Sequence, residues 1–297
     1  MFHRALNRRA VASASHKVCR ACWTLRKPCP RRAASLSLRR GLTIIELTMS
    51  VAVLAMVATA VASLAHGVRV GSEYSRQSAE LTQHAQVALA RITNRIERAW
   101  ATEAHPGVVV VHESVGGAMV PSALVVWQPE SGTPVHPTGP PLARELVIFT
   151  ANPKDPRQLL EVRAPSDQRA VPLEELDTAA GRSLITALLD SPQSQRIVLT
   201  ELLRTTNGTG LSGTRGVAWF VRRLRPSNTE LLQARTGAIA WENLPWPQGI
   251  YSSRNGLRQV WIRIELQLVP PGTTAAQMAA RAVPFFGSAA IYHEVQR

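Results

Sequence analysis

The sequence predicts an α+β protein in which one long N-terminal helix precedes a β-rich globular head. Two observations support this prediction. Residues 42–105 contain no proline and repeat apolar side chains at helical spacing, whereas residues 106–297 break into short β-rich runs separated by Pro and Gly. At 297 residues, of which 45% are hydrophobic, the chain is long enough to bury a substantial core.

Most of the positive charge lies at the N-terminus. Residues 1–40 hold eleven lysines and arginines and no Asp or Glu, so subtracting eleven from the net charge of +14 leaves +3 for residues 41–297. A nearly balanced body lacks the excess of basic residues typical of nucleic-acid-binding domains. We therefore expect no nucleic-acid partner, and we interpret residues 1–41 as a disordered basic leader.

All three cysteines also lie in this leader, so the remainder of the chain needs no disulfide framework. His16 together with the three cysteines could supply four zinc ligands. Their spacing matches no common zinc finger, however, and the segment is otherwise rich in Arg, Ala and Ser. We therefore expect neither a metal site nor a cofactor. The cysteines are Cys19, Cys22 and Cys29.

An apolar run follows the leader. From Leu47 to Val68 the chain has no Asp, Glu, Lys or Arg, and about 20 apolar residues suffice to cross a bilayer as a helix. Residues 42–68 are therefore predicted to form a transmembrane helix. Basic residues flanking a span tend to stay in the cytoplasm, so Arg39 and Arg40 indicate a cytoplasmic leader and a head across the membrane.

A cleavable secretory signal is the alternative interpretation of the same run. Small residues suited to signal-peptide cleavage follow its apolar core, and these are Ala62, Ser63 and Ala65. Against this alternative stands Glu46, a single acid at the start of the run. An ionised carboxylate in hydrocarbon costs about 2.5–3.5 kcal/mol, which suggests a function. An incidental acid favoured by the helix dipole is the simpler explanation of Glu46.

The segment RRGLTIIEL, residues 39–47, resembles the processing site of type IV prepilins and of the pseudopilins of type II secretion. In that family a basic leader ends in Gly, the next residue is usually Phe, and Glu is fifth in the mature chain. The resemblance implies cleavage between Gly41 and Leu42 by prepilin peptidase and N-methylation of Leu42. It also implies that Glu46 neutralises the terminal amine of a neighbouring subunit. Leu42 in place of Phe and the 41-residue leader are departures from the pattern.

Helical spacing continues beyond the membrane run, and residues 69–105 are predicted to form the amphipathic half of the same helix. Pro106-Gly107 marks the predicted stop. The amphipathic half carries polar side chains between its apolar positions, which suits packing on the protein's own head. The positions that recur at three- and four-residue steps are Tyr74, Ser78, Leu81, Ala85, Ala88, Leu89, Ile92, Ile96 and Ala99.

The head, residues 106–297, is predicted to be mainly β-structure. The resemblance implies a type IV pilin arrangement, with the long helix packed on an antiparallel sheet. One further helix is predicted from the spacing of Leu173, Leu176, Ala180, Leu184 and Leu188. The predicted strands are Val108–His112, Ala123–Trp127, Glu145–Thr150, Leu159–Arg163, Arg196–Leu202, Val217–Arg222, Gln259–Val269 and Ala290–Val295.

No catalytic motif is present in the head, and we expect no enzymatic activity. Its histidines follow no ligand spacing and are interpreted as ordinary surface or core residues. Trp241 and Trp246 lie in a turn-rich segment, AWENLPWPQG, where we expect exposure and a possible binding role.

The resemblance implies a structural subunit, most similar to the larger minor pseudopilins of the J type. Such a protein would be a single-pass inner-membrane protein with a periplasmic head. Its partners would be prepilin peptidase and other pseudopilins or pilins, contacted through the N-terminal helix. Two alternatives remain open: a minor pilin of a type IV or DNA-uptake pilus, and a membrane-tethered hydrolase or carbohydrate-binding protein.

Overall fold

The computed structural model describes residues 43–115, 118–137, 139–207 and 214–297. The basic leader, including Gly41, and Leu42 therefore lie outside the described residues. The chain divides into two compact units, Met1–Val61 and Ala62–Arg297.

Helix α1 spans Ile44–Glu97, a single α-helix of 54 residues. It ends at Glu97, eight residues before the predicted end at residue 105. The reason lies in the contacts of the segment that follows. The backbone N–H of Trp100 donates to the carbonyl of Trp127 at 2.8 Å. Gly107 has a φ of 75°, and a Cβ at this position would lie 2.4 Å from the carbonyl oxygen of Trp100. The chain therefore leaves the helix to run beside the first sheet.

The first sheet has five strands in sequential order, each antiparallel to its neighbour. Strand β4 has the predicted bounds, while the other strands differ from prediction by a few residues at one or both ends. The strands are β1 (Val108–Val115), β2 (Ala118–Trp127), β3 (Leu146–Ala151), β4 (Leu159–Arg163) and β5 (Gln195–Thr200).

A second antiparallel sheet has three strands in the order β10-β9-β8, and two short strands form a separate ribbon. Strand β9 alternates strictly between buried and more accessible residues, as its sequence predicts. The strands are β6 (Thr205–Asn207), β7 (Thr214–Gly216), β8 (Ala218–Arg225), β9 (Asn255–Leu268) and β10 (Val283–Gln296).

The described part of the head holds three shorter helices, α2 (Ala179–Asp190), α3 (Asn228–Arg235) and α4 (Met278–Arg281). The helix predicted from Leu173 to Leu188 is present only from Ala179, as α2, because Leu173–Glu175 forms a 3-10 turn. Helices α3 and α4 were not predicted from the sequence. Single 3-10 turns occur at Ala143–Glu145, Leu173–Glu175, Trp241–Asn243, Pro247–Gly249 and Ala275–Gln277.

The second half of α1 contributes one face to the main hydrophobic core. The buried side chains of this half of α1 pack in one cluster with buried residues of both sheets, including Phe149 and Ile262. Leu89 of the predicted face is only partly buried. A second cluster lies on the opposite face of the five-stranded sheet and includes residues of α2. The α+β class and the packing of a long helix on antiparallel sheets are thus confirmed. The buried residues of α1 are Leu81, Ala85, Ala88, Ile92 and Ile96.

Candidate functional site

Glu46 lies in the first turn of α1, where it takes part in a reciprocal cap with Thr43. One carboxylate oxygen, Oε2, accepts hydrogen bonds from the Thr43 backbone N–H at 3.1 Å and from its hydroxyl at 3.2 Å. The Glu46 N–H donates in return to Thr43 Oγ1 at 3.3 Å. The other oxygen, Oε1, accepts no hydrogen bond from the residues that the structure describes. The carboxylate can therefore cap the helix and still accept a cationic partner.

The helix surface around and beyond Glu46 is apolar and uncovered. Ile44 is 84% exposed and Leu54 71%, and every other large hydrophobic residue up to Val61 is also exposed. Water-exposed apolar surface of this extent is unfavourable and indicates contact with lipid or with other chains. Helix α1 is long and apolar enough to cross a membrane, and its most apolar stretch is not buried inside the protein. Signal sequences meet the same criterion, so this is weak evidence for a membrane anchor, and it gives no orientation.

The amphipathic half of α1 is held to the five-stranded sheet by a buried ion cluster. Glu161 on β4 has no exposed side-chain surface, and it accepts hydrogen bonds from Arg91 Nε and from Arg95 Nη2, the latter at 2.9 Å. The amide oxygen of Gln128 accepts from Arg95 at 3.2 Å and from Arg163 at 3.0 Å. Two arginines one turn apart thus grip one carboxylate, which fixes the rotation of this half of α1 on the sheet.

The charges of the cluster shift the pKa values of its arginines in opposite directions. The hydrogen bond to Glu161 raises the pKa of Arg91. Burial, followed by repulsion from Arg95, lowers the pKa of Arg163. The arrangement places three cations around one carboxylate, so the charge of Glu161 is what makes the cluster tolerable.

We predict that Glu161→Gln lowers the free energy of unfolding by about 2 kcal/mol, because it keeps the shape but replaces charge-assisted hydrogen bonds with neutral ones. Thermal or chemical unfolding of the detergent-solubilised chain measures the change. Glu130→Gln is the matched control, since Glu130 is 71% exposed and only 3.7 Å from Arg163. The control is expected to change stability by less than about 0.5 kcal/mol. Equal effects of the two substitutions would contradict the proposal that the ion cluster at Glu161 holds α1 to the sheet.

A cleft of about 890 Å³ in the head is lined mainly by residues of β1, β8, α3 and the segment between β4 and α2. Its lining contains no Ser, Thr, Cys or Lys. Each acid in the lining pairs with a neighbour. Glu103 pairs with Arg235, Glu174 lies 2.9 Å from His105 Nδ1, and Asp177 lies 3.2 Å from His112 Nδ1.

His293, on β10, is buried, and neither ring nitrogen has a hydrogen-bond partner among the described residues. Burial, followed by repulsion from Arg258, lowers its pKa to about 4, so the ring is neutral at pH 7. His105 packs edge-on against Trp127 with ring centroids 5.7 Å apart. Both are core residues, as the sequence interpretation allows. In the described part of the chain, no group of three or more His, Cys, Asp or Glu side chains could hold a metal ion.

The expected exposure of Trp241 and Trp246 is wrong. Both side chains are buried, and their rings pack 4.8 Å apart in a third hydrophobic cluster with residues of α3. Their indole N–H groups donate to the carbonyls of Ser252 and Trp241, at 3.0 and 2.8 Å. Gly256 leaves room for the second ring, since a Cβ there would lie 2.2 Å from Trp246. The two tryptophans belong to the structural core, so they do not offer the exposed rings that the binding role required.

No protein-family model, curated protein or solved structure matches this chain. Its candidate function therefore depends on its own residues. Of the three predicted site residues, Gly41 and Leu42 lie outside the described residues, and Glu46 lies in the first turn of α1. The ion cluster at Glu161 was not predicted, although an acid between the apolar residues of the strand LLEVR is a signal that could have revealed it.

Proposed function

We propose that this chain is a minor pseudopilin, a structural subunit of a type II secretion pseudopilus that prepilin peptidase processes and N-methylates. The observation that carries the proposal is the division of α1 into two kinds of surface. Up to Val61 its large apolar side chains are exposed, whereas from Leu81 to Ile96 one face is buried in the head. A helix with this division is suited to join other subunits with its first half while the second half holds the head.

The acid at the start of α1 gives this assembly a register. Removal of the leader would create a cationic amine at Leu42, and the free oxygen of Glu46 on a neighbouring subunit would accept it. Pairing offsets the cost of placing each charge in an apolar environment. In this proposal the capping contact with Thr43 orients the carboxylate before the partner arrives.

Two alternatives are compatible with the same helix. A minor pilin of a type IV or DNA-uptake pilus would share the processing site and the long helix α1. A membrane-tethered hydrolase or carbohydrate-binding protein would use the 890 Å³ cleft of the head and would need no processing at Gly41. The acids in that cleft are paired and its lining holds no Ser, Thr, Cys or Lys, which makes this second alternative the weaker one.

We predict cleavage between Gly41 and Leu42. Intact-mass measurement of the membrane-extracted protein is expected to show loss of the first 41 residues and gain of one methyl group. Gly41→Leu is expected to leave the precursor uncut, because a bulky residue blocks the peptidase. The control is Gly71→Leu, since Gly71 lies on α1 with open space around it. A mature start between Ala62 and Ala65 would instead identify a secretory signal, and an uncut wild-type chain would favour the tethered protein.

A further inference from the structure

The outer face of the three-stranded sheet carries four aromatic side chains. Along each strand alternate residues point away from the core, and on this face Trp219 is 47% exposed, Phe286 56% and Tyr292 47%. Trp261 lies on the central strand β9, between Arg223 of β8 and Ala290 of β10. The aromatic rings are thus spread over all three strands, and none of them belongs to the clusters that form the core.

Three arginines lie among these rings. Arg263 is on the central strand, and its guanidinium carbon is 5.2 Å from the centre of the Phe286 ring, in a cation–π contact. The guanidinium groups of Arg223 and Arg225 on β8 make no hydrogen bond or ion pair with any described residue. Glu265 lies on the central strand and accepts a hydrogen bond from the side-chain amide of Gln267 at 2.9 Å. Its carboxylate is 3.9 Å from Arg263. The centre of the face therefore holds three arginines and one glutamate, and a second acid, Glu294, lies beyond Tyr292 on β10.

The registers arrange the face in four levels. Each level is a row of three residues across β8, β9 and β10, and successive levels are about 6.7 Å apart because side chains on one face alternate. The rows are Trp219–Glu265–Phe286, Val221–Arg263–Ser288, Arg223–Trp261–Ala290 and Arg225–Gln259–Tyr292. Four levels span about 20 Å, which is long enough for a few nucleotides. The smallest single-strand binding sites on other folds accommodate about four nucleotides.

We propose that this face binds single-stranded nucleic acid, with bases stacked on the aromatic rings and phosphates held by Arg223, Arg225 and Arg263. Stacking on exposed rings combined with backbone contacts to cations is the general means of binding single strands without sequence preference. A flat sheet face does not enter the grooves of a duplex, so unpaired bases are the fitting ligand. The proposal does not depend on the assembly role of α1.

A protein partner fits this face less well. Protein interfaces are themselves enriched in Arg and aromatic residues, but the fully buried core of an interface is apolar and the polar groups lie at its rim. Here Arg263 and Glu265 lie on the central strand, and Arg223 lies beside Trp261, so cations separate the rings instead of surrounding a contiguous apolar patch. The near balance of charge over residues 41–297, which argued against a nucleic-acid partner, averages over this local excess of arginine.

Fluorescence anisotropy with labelled oligo(dT) of 15 nucleotides tests the proposal on the full chain in neutral detergent. We expect binding that weakens as salt concentration rises. Trp261→Ala and Arg263→Gln are each expected to weaken binding roughly tenfold, whereas Trp261→Phe retains most of it. The matched control is Arg98→Gln, because Arg98 is an exposed arginine on none of the three strands. Melting temperatures of all variants confirm that they remain folded.

Four outcomes would overturn the proposal. These are absence of oligo(dT) binding at 100-fold excess of protein over probe, equal loss of binding in Arg98→Gln, preference for the same sequence as a duplex, and equal competition by poly-glutamate. The last result would identify the face as a site for acidic protein segments. Processing at Gly41 and filament assembly are measured separately, so either proposal can fail without the other.

Discussion

A version of the chain that begins at Pro106 is expected to be insoluble or molten, whereas one that begins at Tyr74 is expected to unfold cooperatively. The shorter version loses the buried face of α1, and each Leu or Ile of this face contributes about 1.5–3 kcal/mol by burial. It also removes Arg91 and Arg95, the two partners that α1 supplies to Glu161. Together these losses are comparable to the whole stability of an ordinary domain, about 5–15 kcal/mol.

Near-UV circular dichroism, dye binding and thermal unfolding distinguish these states. Within the version that begins at Tyr74, Ile92→Ala is expected to cost about 2–5 kcal/mol, because Ile92 is completely buried. Val87→Ala is the control on the same helix, since Val87 is 57% exposed. Similar behaviour of the two truncated versions, or of the two substitutions, would mean that the head does not depend on α1.

Glu46→Ala is expected to abolish incorporation into the filament while leaving membrane insertion and cleavage intact. Removal of one member of a buried charge pair typically costs about 3–5 kcal/mol, because the remaining charge is left without a partner. Glu46→Gln is expected to be nearly as defective, since it keeps the shape and the cap with Thr43 but not the charge. Insertion should be retained or improved, because the alanine variant carries no acid into the membrane.

Crosslinking to the other filament subunits, measured beside the amount of processed protein, separates assembly from insertion. Glu73→Gln provides the control, because Glu73 is an exposed acid on the same helix whose contact is with Gln77. Normal assembly by both Glu46 variants would leave this residue as a helix cap only. The filament proposal would then depend on cleavage at Gly41 alone.

Much of the fold could be predicted from local patterns. The alternation in Gln259–Val269 predicts strand β9 with its buried face correctly, because a half-buried strand has a strict period of two. The predicted strand Leu159–Arg163 begins and ends at the same residues as β4 in the structure. The buried positions of α1 follow from the helical period of 3.6 residues.

The features that could not be predicted depend on distant contacts. The end of α1 at Glu97 has no local stop signal, because the exit is set by a backbone hydrogen bond from Trp100 to Trp127. The ribbon of β6 and β7 consists of two three-residue strands with no pattern of their own. Helix α3, in contrast, begins with a capping box at Ser227 and Glu230, a signal that was overlooked.

The candidate site divides in the same way. Glu46 could be predicted because an acid at the start of an apolar run is conspicuous in the sequence alone. The partners of Glu161 could not, since Arg91 and Arg95 resemble any solvated helix face until β4 is placed beside them. The aromatic face was likewise hidden, because its four rings come from three strands whose order is not written in the sequence.

The sequential order of both sheets has a consequence for how the head folds. In each sheet every strand pairs with the strand before it in that sheet, and α1 precedes them all. If the head crosses the membrane as proposed, the amphipathic half of α1 emerges before the strands, and each strand emerges after the strand with which it pairs. Contacts close in sequence form quickly, which limits the time for which unpaired strand edges are exposed. The topology thus suits folding during translocation, with the amphipathic half of α1 as the surface on which successive strands pack.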